Sequence, residues 1–344
     1  MRIAGLGDRY ISYMVEQSFL IPLSSIVVYL FGVKPVILSF FLVYKIDFQG
    51  AIKLIFETQT GWINIVALFL VSIIYYFFET LTDVGVGTRI FGFFIITKYQ
   101  LPHDRVVFIM LIRNLIKSFF ILNVINTIFI LVYRHDMQTF SDHHMNIIVA
   151  TSKNDLKKNT KQIFSASLVM YYSNFILLWF LAYLEIITSN NLPPAPSGVA
   201  SNYNFYNFLR EIISNNLTLD ITGYIFGGPT IIIGTFIKIF SSNILETNVI
   251  GSLDFLNGSN SFIRDVLPQF FPETLGYMFG IATAISISYI ILTFLQSLIR
   301  NEEKSHFIGV SKNQFFNIAV YSILSISLII IGALIESSLG LFDF

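Results

Sequence analysis

An all-α, polytopic integral membrane protein with about 7–8 transmembrane helices is the architecture that this 344-residue sequence predicts, on three grounds. Apolar residues make up 54% of the chain, charged residues only 12%, and the mean hydropathy is +0.70; soluble domains carry about 25% charged residues. Apolar runs recur at lengths that cross a hydrocarbon core of roughly 30 Å, about 20 residues at a time. Polar and Pro-rich segments punctuate those runs instead of gathering into a soluble domain. The same composition argues against a nucleic-acid binder, a disordered chain or a cytosolic enzyme. The balance of 21 Lys+Arg against 21 Asp+Glu gives no electrostatic pointer to a partner, and zero Cys rules out disulfides, thiol catalysis and Cys-ligated metals within this chain.

The first run, Ser18 to Gly32, continues more weakly from Val36 to Tyr44 and lacks the short apolar core and small-residue cleavage site of a removable signal peptide. Trp62 to Phe78, Ser118 to Tyr133, Phe164 to Ile187, Thr274 to Ile299 and Phe315 to Ile335 follow as clear spans. Phe205 to Leu245 is long enough for two crossings if the chain breaks at Gly227-Gly228-Pro229, where Gly loosens the helix and Pro removes a donor. One kinked helix is the alternative. This region also carries Arg210, Glu211, Asp220 and Lys238.

Three polar segments separate the spans: Leu81 to Arg105, Arg134 to Gln162, and Thr188 to Asn204 with Pro193, Pro194 and Pro196. The second ends in Lys153, Lys157, Lys158 and Lys161, which marks it as a cytoplasmic segment under the positive-inside rule and as the seam of the chain. The expected modules are therefore residues 1–153, a Lys-rich connection over 154–163, and residues 164–344. With a break at Pro229, the loop bearing Arg300, Lys304 and Lys312 returns to the same side as the seam. Three simple crossings cannot put both Arg9 and Lys157 inside, so the charges do not orient the first half.

Arg9 and Glu16 lie nearly two helical turns apart on one face, where snorkelling anchors at the membrane interface are the ordinary reading. A second cluster runs Glu79, Asp83, Gly85, Gly87, Thr88, Arg89 and Gly92, then Arg105, Arg113 and Lys117 on an apolar helix. Its G-x-G pair lacks the Walker or Rossmann spacing and a preceding strand, which argues against a phosphate loop. Arg134-His135-Asp136 and Gln138-Thr139-Phe140-Ser141-Asp142 then precede the apolar run Ile147-Ile148-Val149, with Thr151 at its end.

That order resembles the RDD family of small integral membrane proteins over roughly residues 9 to 153. Arg9 with an acid seven residues on resembles the opening Arg and Asp of the family, with Glu16 in place of the Asp. The Gly85 to Gly92 stretch is similar to its Gly/Thr-rich turn before a strand-like piece, Arg113-Asn114 to the Arg of its third segment, and Asp142 to its closing Asp. Acids and arginines at that depth are expected to pair, because isolated charges there cost several kcal/mol.

The second half carries Asn215-Asn216, the G-x-x-x-G pairs Gly223/Gly227 and Gly276/Gly280, Leu267-Pro268 followed by Glu273, and Ile335-Glu336. Small residues at that spacing let helix backbones approach closely, so helix packing is their expected role. The series resembles the stage II sporulation protein M-like family over roughly residues 164 to 344, with Gln269-Phe270 where that family has His-Gly. Both resemblances imply a membrane component rather than a reaction.

All five His fall in polar loops. His143-His144 with Asp136 and Asp142 could ligate Zn or Mn in a tightly folded loop, but a solvated loop is the plainer reading, and neither a metal nor another cofactor is expected. Neither H-E-x-x-H nor Ser with His inside a span occurs, so no catalytic residues are assigned. The ionisable groups at membrane depth remain: Glu79, Arg113 and Lys117 in the first half, and Glu185, Asp220, Lys238, Glu273 and Glu336 in the second. Asp220 and Lys238 flank the expected break and could meet as an ion pair or line a transport cavity. A non-enzymatic scaffold or assembly subunit of the cell membrane is the expected function, with the lipid bilayer and membrane proteins or further copies of the chain as partners and no nucleic acid. A secondary transporter or ion/proton exchanger using the membrane acids is the alternative.

Overall fold

In a computed structural model of the chain, residues 2–37, 48–82, 85–97, 103–131, 138–151, 158–189, 205–228, 267–300 and 304–339 are described. Among them helix dominates: α1 (Leu6–Leu30), α2 (Phe48–Phe56), α3 (Gln59–Thr82), α4 (Val86–Phe91), α5 (His103–Ser118), α6 (Phe120–Ile128), α7 (Phe140–His144), α8 (Lys158–Ser189), α9 (Phe205–Gly227), α10 (Leu267–Arg300) and α11 (Lys304–Leu339). Among the described residues, five stretches are long and apolar enough to cross a membrane: Leu6–Leu30, Gln59–Thr82, Thr160–Glu185, Pro268–Leu298 and Phe307–Ser338. The protein is thus largely helical, with apolar helices suited to a lipid environment. Strands β1 (Arg2–Ile3), β2 (Phe93–Thr97) and β3 (Ile147–Thr151) add a small antiparallel sheet in the order β1-β3-β2, an element not anticipated among the spans.

By packing, the chain divides into two units. Unit 1 comprises Met1–Val36, Phe48–Ala166 and Tyr289–Gln314; unit 2 comprises Ile37–Asp47, Ser167–Ser288 and Phe315–Phe344. Unit 1 therefore takes residues 289–314 from the stretch expected to form the second module.

Unit 1 is built around α1. The helix starts at Leu6, a full three turns before the apolar run at Ser18, because its polar first turns are held inside the unit. Asp8 Oδ2 accepts the Gly5 N–H (3.2 Å), Gln296 Oε1 accepts the Leu6 N–H (3.1 Å), and the Tyr289 hydroxyl donates to Asp8 Oδ1 (2.8 Å). Helix α3 packs on α1 and α5, while α4 packs on α1. The outward face of α3 shows Trp62, Val66, Leu70, Ile74 and Phe78, one residue per turn, as a helix facing lipid should. In the sheet, Arg2 and Ile3 pair with Thr151 and Ala150, and Phe93 to Thr97 run antiparallel to Thr151 to Ile147.

The expected span Ser118 to Tyr133 is not one helix. The chain turns extended at Phe119 (φ −97°, ψ 108°), and among the described residues, which reach Leu131 here, only the nine residues of α6 and one 3-10 turn follow, the α-helix being about 13 Å long at 1.5 Å per residue. Polar Asn126 inside this run serves a local contact, its Oδ1 accepting the Ser141 N–H (2.8 Å), which a lipid-crossing helix would leave unmade.

In unit 2, α8 meets α10 through Phe175 and Phe270 (5.2 Å between ring centres) and a Tyr172–Thr274 hydroxyl contact (3.4 Å). Helix α10 meets α11 through stacked Phe279 and Tyr321 (5.9 Å) and through Thr283 and Ser322 (3.4 Å). Helix α9 ends at Gly227, with Gly228 in a turn, at the position where the break is expected. Pro229 and Lys238 lie outside the described residues.

Candidate functional site

Four elements of unit 1 bring nine charged or polar side chains together. On α1, Arg9, Ser12 and Glu16 recur at helical spacing; on α3, Tyr76 and Glu79 lie three apart; on α5, Arg113, Asn114 and Lys117 share a stripe; α7 brings Asp142. Short α7 is fixed by its cap, Thr139 Oγ1 accepting the Asp142 N–H (3.2 Å), and by Gln138, whose amide donates to the carbonyls of Asp142 (3.4 Å) and Ile147 (2.5 Å).

Asp142, fully buried, takes Arg9 Nη1 on one oxygen (2.6 Å) and Arg113 Nε on the other (2.8 Å). Burial pushes its carboxyl up, but the guanidiniums of Arg113 and Arg9 outweigh that and hold it below the ordinary carboxylate range. Burial likewise works against the charged form of Arg113, and Asp142 overcomes it, leaving the guanidinium above its ordinary value.

Nearly two helical turns further along α1 and one along α5, Lys117 Nζ lies between Glu16 Oε2 (2.8 Å) and Glu79 Oε2 (3.2 Å) and sits 4.2 Å from the centre of the Tyr76 ring. The Tyr76 hydroxyl donates to Glu16 Oε2 (3.0 Å), and Gln17 Nε2 reaches the same hydroxyl (3.4 Å). Asn114 Nδ2 anchors α5 to the Tyr76 carbonyl (2.9 Å) and Thr80 Oγ1 (2.5 Å). Glu16 Oε1 and Asn114 Oδ1 are buried and have no hydrogen-bond partner among the described residues. The expected Gly turn proves to be the seat of α4 on this cluster: a Cβ at Gly87 would run into Ser12 and Glu16, and one at Gly85 into Glu79 and Thr88.

The RDD-like positions Arg9, Glu16, Arg113 and Asp142 thus lie in this network, but Arg9 and Glu16 do not anchor at an interface. Arg9 is nearly enclosed and Glu16 fully so, each paired with a different partner, because the polar face of α1 is covered by α3, α4, α5 and α7. The expected pairing of charges extends to Glu79 and Lys117. Tyr76, Gln17 and Asn126 went unnoticed in the sequence. A tyrosine within an apolar span gives no signal of its own. Arg89 and Arg105 are exposed.

In unit 2, Asp220 is buried (5% exposed), hydrogen-bonded to Ser325 of α11 and pressed against Gly280 of α10. Ser325 Oγ also lies 2.8 Å from the Gly276 carbonyl. One turn away, Asn216 Nδ2 donates to Glu273 Oε1 (3.0 Å), and the Glu273 stem packs on Gly332. Gly276 and Gly280 therefore do pack helices closely, Gly276 against Ile329 and Ser325. Gly223 is half-buried and Gly227 closes α9. Glu336 is half-buried on α11, and Lys238, the expected partner of Asp220, lies outside the described residues. Ser325 was missed, one serine among several in an apolar run.

His143 Nδ1 contacts Gln138 Oε1 (3.2 Å), and the His144 ring packs on Phe140 (4.2 Å between ring centres). Among the described residues no group of His, Cys, Asp or Glu is placed to hold a metal ion; Asp136 lies outside them.

Fold and site together define a helical protein with membrane-length apolar helices and a buried ion network inside its first unit. Neither a protein-family model, nor a curated protein, nor a solved structure matches the chain.

Proposed function

We propose that this chain is a non-enzymatic scaffold or assembly subunit, a multi-pass protein of the cell membrane with about 7–8 crossings, that holds partner proteins or further copies of itself. Residues 1–153 form an RDD-like module and residues 164–344 a stage II sporulation protein M-like module, joined by the Lys-rich 154–163 segment. The observation that carries this reading is Asp142, whose two oxygens are both taken by guanidiniums from separate helices, α1 and α5. Ions closed on one another in that way fix helices in place, and a platform needs fixed helices. The convergence of Arg9, Arg113 and Asp142, named from sequence order, also supports the RDD-like reading.

A secondary transporter or ion/proton exchanger is the second reading, favoured by Glu16 and Glu79 sharing the ammonium of Lys117. Such an uneven charge count suits a group that gains and loses a proton. The test uses the intact chain purified from its native membranes, with mass spectrometry of co-purifying chains and flux measurements on the same preparation in liposomes. Stoichiometric membrane partners and no flux above empty liposomes are expected. Flux driven by a pH or sodium gradient and lost in Glu16→Gln overturns the scaffold in favour of the exchanger.

A further inference from the structure

We propose that Asp220 and Ser325 form a proton-binding site in unit 2, in which the Asp220 carboxyl holds a proton and donates it in a hydrogen bond to Ser325 Oγ. This goes beyond the scaffold reading and does not depend on it.

Three oxygens from three helices lie in sequence: Asp220 Oδ2 on α9, Ser325 Oγ on α11 and the Gly276 carbonyl on α10. Both links are at hydrogen-bond separation, so two hydrogens are needed. Ser325 supplies one, and a carbonyl supplies none. The remaining hydrogen comes from Asp220: its O–H donates to Ser325 Oγ, whose own O–H donates to the Gly276 carbonyl. Every oxygen in the chain is then satisfied, and the carboxyl, 5% exposed among apolar helices, buries no charge.

The ligand is a proton rather than a metal cation because of Gly280. Asp220 Oδ1 lies so close to the Gly280 backbone that even a Cβ could not stand between them, and a cation requires a shell of several oxygens around it. Besides Asp220, the ionisable side chains described on the three helices in this unit are Tyr206, Arg210 and Glu211 of α9, all exposed, Glu273 and Tyr277 of α10, and Tyr321 and Glu336 of α11. Glu273 is engaged by Asn216 one turn from the site.

Infrared spectroscopy of the full chain in liposomes at neutral pH reads the proton directly, as the carbonyl stretch of a protonated carboxyl, and carbon-13 labelling of aspartate separates it from glutamate. The expected result is a label-sensitive acid band that is lost in Asp220→Asn and shifts in Ser325→Ala, where the acid loses its acceptor. The Ser325→Ala arm holds even if Asp220→Asn fails to fold. A wild-type spectrum without an aspartic acid band, or with one indifferent to Ser325→Ala, overturns the proposal.

Discussion

Replacing Asp142 by Asn keeps the shape of the side chain and removes the charge that two guanidiniums share. The carboxylate is fully buried, with Arg9 at 2.6 Å and Arg113 at 2.8 Å, so the variant leaves two cations facing each other without a counter-ion. Removing one member of a buried ion pair costs about 3–5 kcal/mol, a large share of the roughly 5–15 kcal/mol that holds an ordinary domain together. Unfolding of the purified protein in mixed micelles, followed by circular dichroism, measures the loss. Asp142→Asn and Arg113→Gln combined should cost less than their sum by about 0.5–3 kcal/mol, because both remove the same contact. The pH dependence supplies a second readout. The folded-state carboxyl titrates below its unfolded value of about 3.9, so its stabilisation is complete above that value and is lost as pH falls through the lower folded one. Wild-type protein should show that acid limb and Asp142→Asn should lack it. A change under about 0.5 kcal/mol, the size of an ordinary surface substitution, would refute the buried-network account.

Lys117→Met should leave Glu16 and Glu79 without their shared cation and lower stability by about 3–5 kcal/mol; adding Glu16→Gln should recover part of it in the same micelle assay. Gly280→Leu should force α9 and α10 apart at Asp220 and cost about 1–3 kcal/mol without changing membrane insertion, so unchanged melting would mean that the α10 face is not packed there. A Cys placed at Asn159, beside Lys158 and Lys161, should resist an impermeant thiol reagent in intact cells and react after lysis; labelling from outside would reverse the orientation given to the Lys-rich seam.

The positions that form the Asp142 triad could be read in the sequence because Arg and Asp are rare enough in an apolar chain that their order is informative. Their environment could not be read the same way. Hydropathy counts Arg9 and Glu16 as reasons to start the first helix late, whereas α1 begins at Leu6 because those charges are neutralised across α5 and α7. The same averaging joined Ser118 to Tyr133 into one span. A backbone break at Phe119 leaves no trace in side-chain polarity, and a single Asn126 in an apolar run gives no sign of its bond to Ser141. Ile147 to Thr151 is too short a run for apolar length to separate strand from helix, and its pairing with Arg2 and Ile3 depends on residues far away in the chain. In unit 2 the glycine spacing located the α10 packing face, but the partner that fills it, Asp220 with Ser325, came from the three-dimensional arrangement.

The bond from Tyr289 to Asp8 joins residues 281 positions apart, and Gln296 contacts Leu6 across a similar distance. During synthesis at about 5–20 residues per second, the first helix would wait roughly 15–60 s for these partners, with Asp8 already made and Tyr289 not yet joined to the chain. Loop length alone adds little free energy, about 0.6 kcal/mol for each doubling, so the delay is a matter of timing rather than of stability. Unit 1 cannot then mature as a free-standing product of the first half of the message. A chain halted at the Lys-rich seam would carry β1, β2, β3 and the Asp142 triad, yet its first helix would lack the Tyr289 and Gln296 contacts at its start.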